Sequence, residues 1–157
     1  MNRVIYFGMV LLLVACQSNV SQKVEVPKEI ETFILEYVQA WSDGDIEEIT
    51  ENVYGVPMTV YLSDNLISFQ SKDEIRAFLT GTFKQLDEGE YSHSIFNEWK
   101  HFKAGEGVAI VEQSFTRYLK DGTVMGAPER TASYILKRNK NGNYRIHGMI
   151  PHTEIAE

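Results

Sequence analysis

Cysteine is nearly absent from this chain, with one among 157 residues. A single thiol cannot close a bridge within a chain, which excludes a disulfide scaffold, and the lack of further thiols argues against zinc. Basic clusters are missing too. Lys and Arg number 15 against 22 Asp and Glu, a formal charge of −7, and no stretch gathers the cations that replace counterions on a nucleic acid. There is no glycine-rich phosphate loop, because Gly105-Glu106-Gly107 lacks a third glycine and precedes a strand pattern. No serine elbow occurs either. What the chain does have is 43% hydrophobic and 11% aromatic residues, enough for one packed domain and too much for disorder.

The N-terminus carries Arg3 and then an apolar run from Val4 to Ala15. As a helix that run rises about 18 Å, short of the ~30 Å hydrocarbon core, so it reads as a secretory signal and not as a span. The run ends in Leu13-Val14-Ala15-Cys16, which resembles the lipobox of bacterial lipoproteins. That resemblance implies cleavage before Cys16, lipid on its thiol and acylation of the new amine. The other reading is an ordinary cleaved signal with a chance cysteine. The expected division is therefore 1–15 signal peptide, 16–27 lipidated cysteine and tether, and 28–157 folded domain. Gln17 stands where an aspartate resembles an inner-membrane retention signal. In a Gram-negative host this points to an anchor in the outer membrane, facing the periplasm. Loss of Arg3 with the signal leaves a charge of −8, so lipid and not surface charge has to hold the protein to an anionic bilayer.

From Ile30 the pattern turns helical: Ile30, Phe33, Ile34, Tyr37, Val38 and Trp41 fall on one stripe, and Asp43-Gly44 ends it. Asp45 caps a short second helix, broken at Tyr54-Gly55-Val56-Pro57. Met58–Leu62 and Leu66–Phe69 read as a hairpin, and Ser71-Lys72-Asp73-Glu74 is a capping box opening a third helix that stops at Gly89. Four strands follow, Tyr91–Lys103, Val108–Leu119, Glu129–Arg138 and Tyr144–Ile150, with Asn141-Gly142 as the last turn. The expected fold class is α+β, with three N-terminal helices on a curved, mostly antiparallel sheet.

The order of elements, with Tyr37-Val38-Gln39-Ala40-Trp41-Ser42-Asp43-Gly44-Asp45-Ile46, Lys72-Asp73-Glu74-Ile75-Arg76-Ala77-Phe78 and Tyr144-Arg145-Ile146, resembles the nuclear transport factor 2-like superfamily over residues 28–153. Ketosteroid isomerase and the SnoaL-like cyclases are among its branches. The resemblance implies a cone-shaped half-barrel with a pocket between sheet and helices, and often dimerisation through the sheet. Of the isomerase's three working groups, its tyrosine falls on Tyr37. Its general base falls near Leu62, with Asp64 the nearest acid, and its second donor falls near Ala132. Two of the three are missing, which argues against that reaction.

Candidate ligand contacts are Tyr37, Trp41, Tyr54, His93, Asn97 and Tyr134. Alternation along Tyr91–Lys103 groups His93 and Asn97 with Tyr91, Ile95, Trp99 and His101, the composition of a pocket wall with a few polar fixtures. Glu112, Arg117 and Arg130 are read as cross-strand pairs on a solvated face, the alternative being an arginine turned inward to bind a carboxylate. No cofactor or metal is expected. The leading reading is a membrane-anchored domain binding a small apolar ligand. The alternatives are a dehydratase- or cyclase-type enzyme using His93 and Tyr37, and a dimeric structural domain of the cell envelope.

Overall fold

The computed structural model describes residues 27–152, apart from the side chains of residues 103 and 104. Cys16, the signal peptide and residues 17–26 of the tether lie outside the described residues. The first helix, α1, spans Lys28–Asp43 and buries Ile30, Ile34, Tyr37 and Ala40, the stripe that the apolar spacing dictates. It stops where Gly44 turns to φ +68, a left-handed conformation open to glycine, and the Asp45 amide then donates to the Ala40 carbonyl at 2.9 Å. An Asp45 carboxylate oxygen accepts the Glu48 amide at 2.9 Å, capping α2 (Ile46–Glu48), which continues as a π-turn over Ile49–Val53. Carbonyls freed around that turn are satisfied by the Lys72 ammonium, which donates to Thr50 and, at 2.7 Å, to Tyr54. The capping box opens α3 (Lys72–Glu88): the Ser71 hydroxyl accepts the Glu74 amide at 3.2 Å, and the Glu74 carboxylate accepts the Gln70 amide at 2.6 Å.

Six strands form one sheet. They are β1 (Tyr54–Tyr61), β2 (Leu66–Phe69), β3 (Tyr91–Gly105), β4 (Val108–Leu119), β5 (Arg130–Arg138) and β6 (Tyr144–His152), in the order β2-β1-β6-β5-β4-β3. All neighbours are antiparallel except β1 and β6, which run parallel. The three helices pack on the sheet's inner face, where Ile34, Ile75, Leu79, Val111, Leu136 and Ile146 are fully or almost fully buried. Each such side chain is worth about 1.5–3 kcal/mol of transfer free energy. The α+β architecture is thus the expected one: three helices on a curved, open, mostly antiparallel sheet.

Two expectations need correction. The first strand starts at Tyr54 and not Met58, because Tyr54 already pairs with Ile146 of β6 before the register slips ahead of Thr59. Gly55 is needed there, since a Cβ at that position would collide with the His147 ring. The second correction concerns β3, which does not alternate strictly. Register shifts between Tyr91 and His93 and between Phe96 and Glu98 each insert a residue. The inward set is consequently Tyr91, Ser94, Phe96, Trp99 and His101, and no single odd or even series describes the strand.

Candidate functional site

A cavity of about 250 Å³ lies between α1, α3 and the inner face of the sheet, somewhat below the ~300–1,000 Å³ usual for small-molecule pockets. Its apolar wall comes from Tyr37 and Trp41 of α1, Phe78 of α3, Phe115 of β4, Tyr134 of β5 and Met149 of β6. Tyr37 is the hub of this wall. Its ring meets Tyr134 edge-on at 5.4 Å and Trp41 at 6.1 Å, geometries that suit aromatic quadrupoles. Behind it stands Tyr54, fully buried, with the two hydroxyls 3.2 Å apart. Burial pushes the Tyr37, Tyr54 and Tyr134 hydroxyls above the ordinary tyrosine range, so all three keep their protons near neutral pH and can donate.

The polar side of the cavity is cationic. Arg117 of β4 and Arg130 of β5 both line it, because Phe115 sits opposite Arg130 in the register and puts the odd residues of β4 and the even residues of β5 on one face. The Arg117 guanidinium lies among the rings of Phe115 (5.6 Å), Trp41 (5.9 Å) and Tyr91 (6.0 Å). Burial, and after it the neighbouring charge of Arg130, lowers its pKa from the ordinary arginine value. Arg130 donates from Nη2 to the Met125 carbonyl at 3.1 Å. Its head has room because Gly126, at φ +70, carries no Cβ; one built there would lie 2.8 Å from that nitrogen. Among the described residues neither arginine has a carboxylate partner, and the buried Nε of each has no hydrogen bond. Gln113, 3% exposed, faces the same cavity with its carbonyl oxygen likewise unpartnered. Among the described residues, no Asp or Glu lines the cavity.

Tyr37, Trp41 and Tyr134 therefore share one wall, and three other expected contacts do not. Tyr54 supports Tyr37 from the core and leaves the lining to it. His93 is exposed on the outer face, its ring stacked on Tyr118 at 5.2 Å. Asn97 also points outward and donates to the Thr116 hydroxyl at 3.1 Å, which in turn donates to the Pro128 carbonyl at 2.7 Å. The bulges in β3 are the cause, and they separate His93 from Tyr37 by the thickness of the sheet. A His93–Tyr37 acid–base pair is thereby removed. Arg117 and Arg130 correct the reading in the opposite direction: expected on a solvated face, they stand in the cavity, whereas Glu112 does make the expected outer-face pair, with Lys100 at 2.9 Å. Their signal was present as parity, since Arg117 shares its face with Val111 and Phe115, and Arg130 with Tyr134 and Leu136. Of the positions matching the isomerase acids, Leu62 is exposed beyond the end of β1 and Ala132 forms cavity wall. Among the described residues, no group of three His, Cys, Asp or Glu is placed to hold a metal.

Helices over the concave face of an open sheet, enclosing a cavity, define an α+β domain of the NTF2-like class. The chain belongs to the family described as NTF2-like protein (DUF6841), whose model matches residues 28–154. It is similar in structure to Aln2 from a Streptomyces species, at 14% identity and a TM-score of 0.66 over 84% of this chain and 95% of that one. An NTF2-like protein with a cystatin-like fold from Novosphingobium aromaticivorans gives 15% identity and a TM-score of 0.65, over 83% and 82% of the two chains. A putative aromatic ring hydroxylase from the same organism gives 16% and 0.62, over 84% and 94%. At these identities the likeness establishes the fold. No protein of curated function matches the chain.

Proposed function

We propose that this protein is a bacterial lipoprotein, held to the cell envelope through Cys16, whose cavity binds a small, largely apolar ligand. The cavity itself carries this reading: about 250 Å³ walled by Tyr37, Trp41, Phe78, Phe115, Tyr134 and Met149. A void of that composition excludes water from a ligand's apolar body while leaving a few polar groups to orient it. Among the described residues the lining has no carboxylate, and its imidazole, His152, is hydrogen-bonded through Nε2 to the Ser133 hydroxyl at 2.9 Å, an arrangement that supports binding over general acid–base chemistry. Similarity to a protein named as a putative aromatic ring hydroxylase is consistent with a ring-shaped occupant. Compact aromatic ligands should raise the melting temperature of the full-length chain in lipid nanodiscs and change its Trp41 fluorescence. Ala132→Trp, which fills the void, should abolish both responses; responses that survive it, or none with any ligand, overturn the reading. Anchoring is tested separately: Cys16→Ser should move the protein from the membrane to the soluble fraction, and in a Gram-negative host the wild type should fractionate with the outer membrane.

A homodimer through the sheet is a second reading, supported by the outer face. Phe102 and Ile110 are paired neighbours there, Ile110 pairs with Ile135, and Phe102 and Ile110 are both exposed. Sedimentation should then show a dimer at micromolar concentration that Ile110→Lys dissociates; a monomer at high micromolar concentration refutes it.

A further inference from the structure

We infer that the ligand of this cavity is an acid: a carboxylate on a compact aromatic or apolar body, gripped by Arg117 and Arg130. The inference rests on the ligand-binding reading above and names the chemical class it leaves open. Two arginines elsewhere in the molecule find carboxylates, Arg76 with Glu47, Glu51 and Asp73, and Arg138 with Glu29, while Arg145 donates to the Tyr144 carbonyl at 2.8 Å. The chain is rich in acids, 22 against 15 bases, yet among the described residues none lines the cavity into which two arginines project. Two cations side by side repel each other, and the buried Nε of each has no partner among the described residues. Among the described residues the Arg117 side chain makes no hydrogen bond and Arg130 makes one, to the Met125 carbonyl, so donors remain on both guanidinium groups, and a guanidinium fork suits the two oxygens of a carboxylate.

The surroundings set the rest of the ligand. Three aromatic rings within about 6 Å of the Arg117 guanidinium pack against it without using its hydrogen bonds, which leaves its donors available to a ligand. Tyr37, Tyr134 and Phe78 offer ring faces and edges to an apolar body. Gln113, nearly inaccessible and with an orphaned carbonyl oxygen, sits on the same face of β4 and suits a hydroxyl or N–H on that body. The two arginines thus choose the charge, the aromatic wall the body, and Gln113 a polar substituent.

The test compares two probes of nearly equal shape, 2-naphthoate and its neutral counterpart 2-naphthamide, by titration calorimetry on the full-length chain in nanodiscs of uncharged lipid. The expected result is naphthoate binding at least tenfold more tightly, with the difference collapsing to less than about threefold in Arg117→Met and Arg130→Met and partly restored in Arg117→Lys. Because Arg117→Met removes a repelled, desolvated charge, its ligand-free melting temperature should rise; a purely structural arginine would lower it on removal. If both probes bind alike, the acid assignment falls and the apolar-ligand reading stands. Failure of both probes to bind overturns the two together. If 2-naphthyl phosphate outcompetes naphthoate with the same arginine dependence, the carboxylate assignment is overturned in favour of a phosphate.

Discussion

Arg76 and Arg117 carry the same group into opposite surroundings. Arg76, on the outer surface of α3, meets Glu47 at 2.8 Å, Asp73 at 2.9 Å and Glu51 at 3.0 Å. Arg117, inside the cavity, meets three aromatic rings and, among the described residues, no carboxylate. The first is a helix-to-helix brace, compensated and hydrated. The second is a half-buried charge that meets aromatic faces and, among the described residues, no anion, which costs stability unless something else supplies the anion. Where a protein keeps such a group, the free energy withheld from folding is available to binding.

The sharpest way to break this comparison is to give Arg117 the partner it lacks. Phe115 lies two residues from Arg117 and opposite Arg130. Phe115→Glu should satisfy both arginines from within and weaken 2-naphthoate binding roughly 100-fold or more, whereas Phe115→Gln should weaken it less than about tenfold. Equal losses in calorimetric titrations would mean that the ring alone matters. Next in size is Tyr37→Phe. It leaves the buried Tyr54 hydroxyl without its 3.2 Å partner and should cost about 1–3 kcal/mol in urea unfolding, showing that the aromatic wall is a fixed part of the fold. A smaller effect, but one of opposite sign at the two arginines, is expected from methionine substitution. Arg117→Met should raise the ligand-free melting temperature by a few degrees, while Arg76→Met should lower it slightly and by less at high salt.

The smallest effect is a pH dependence. The hydrogen bond and charge of Arg76 hold Glu47 below the ordinary glutamate value of 4.5. A carboxyl with a depressed folded pKa contributes stability above its unfolded value and loses it as acid protonates it through the folded one. The stability difference between wild type and Arg76→Met should thus be flat above about pH 5 and shrink below it. For Arg117→Met no such shrinkage should appear below about pH 5, since no carboxylate among the described residues lines its cavity.

Much of the fold was legible because its determinants are local. Asp45 and Ser71 cap their helices with the amides three residues on, and the stripe from Ile30 to Trp41 buries as its spacing requires. Tyr37, Trp41 and Tyr134 were legible as cavity residues for the same reason, each standing on an unbroken helix or strand. His93 and Asn97 were not. Their side depends on the residues inserted in β3, and a bulge is imposed by the partner strand, leaving no mark in the period-two pattern. Tyr54 was misplaced by another non-local fact, its pairing with Ile146 across most of the chain.

Helix boundaries, the α+β class and the parity that sets Arg117 beside Phe115 and Arg130 beside Tyr134 all follow from the order of residues, because caps and periodicities act over a few positions. Which face of each strand meets the helices, and hence which polar side chains are desolvated, is fixed only when the layers pack. Helix packing buries one face of the sheet as a whole, so the same parity makes an arginine a surface charge or the floor of a cavity according to what lies across from it.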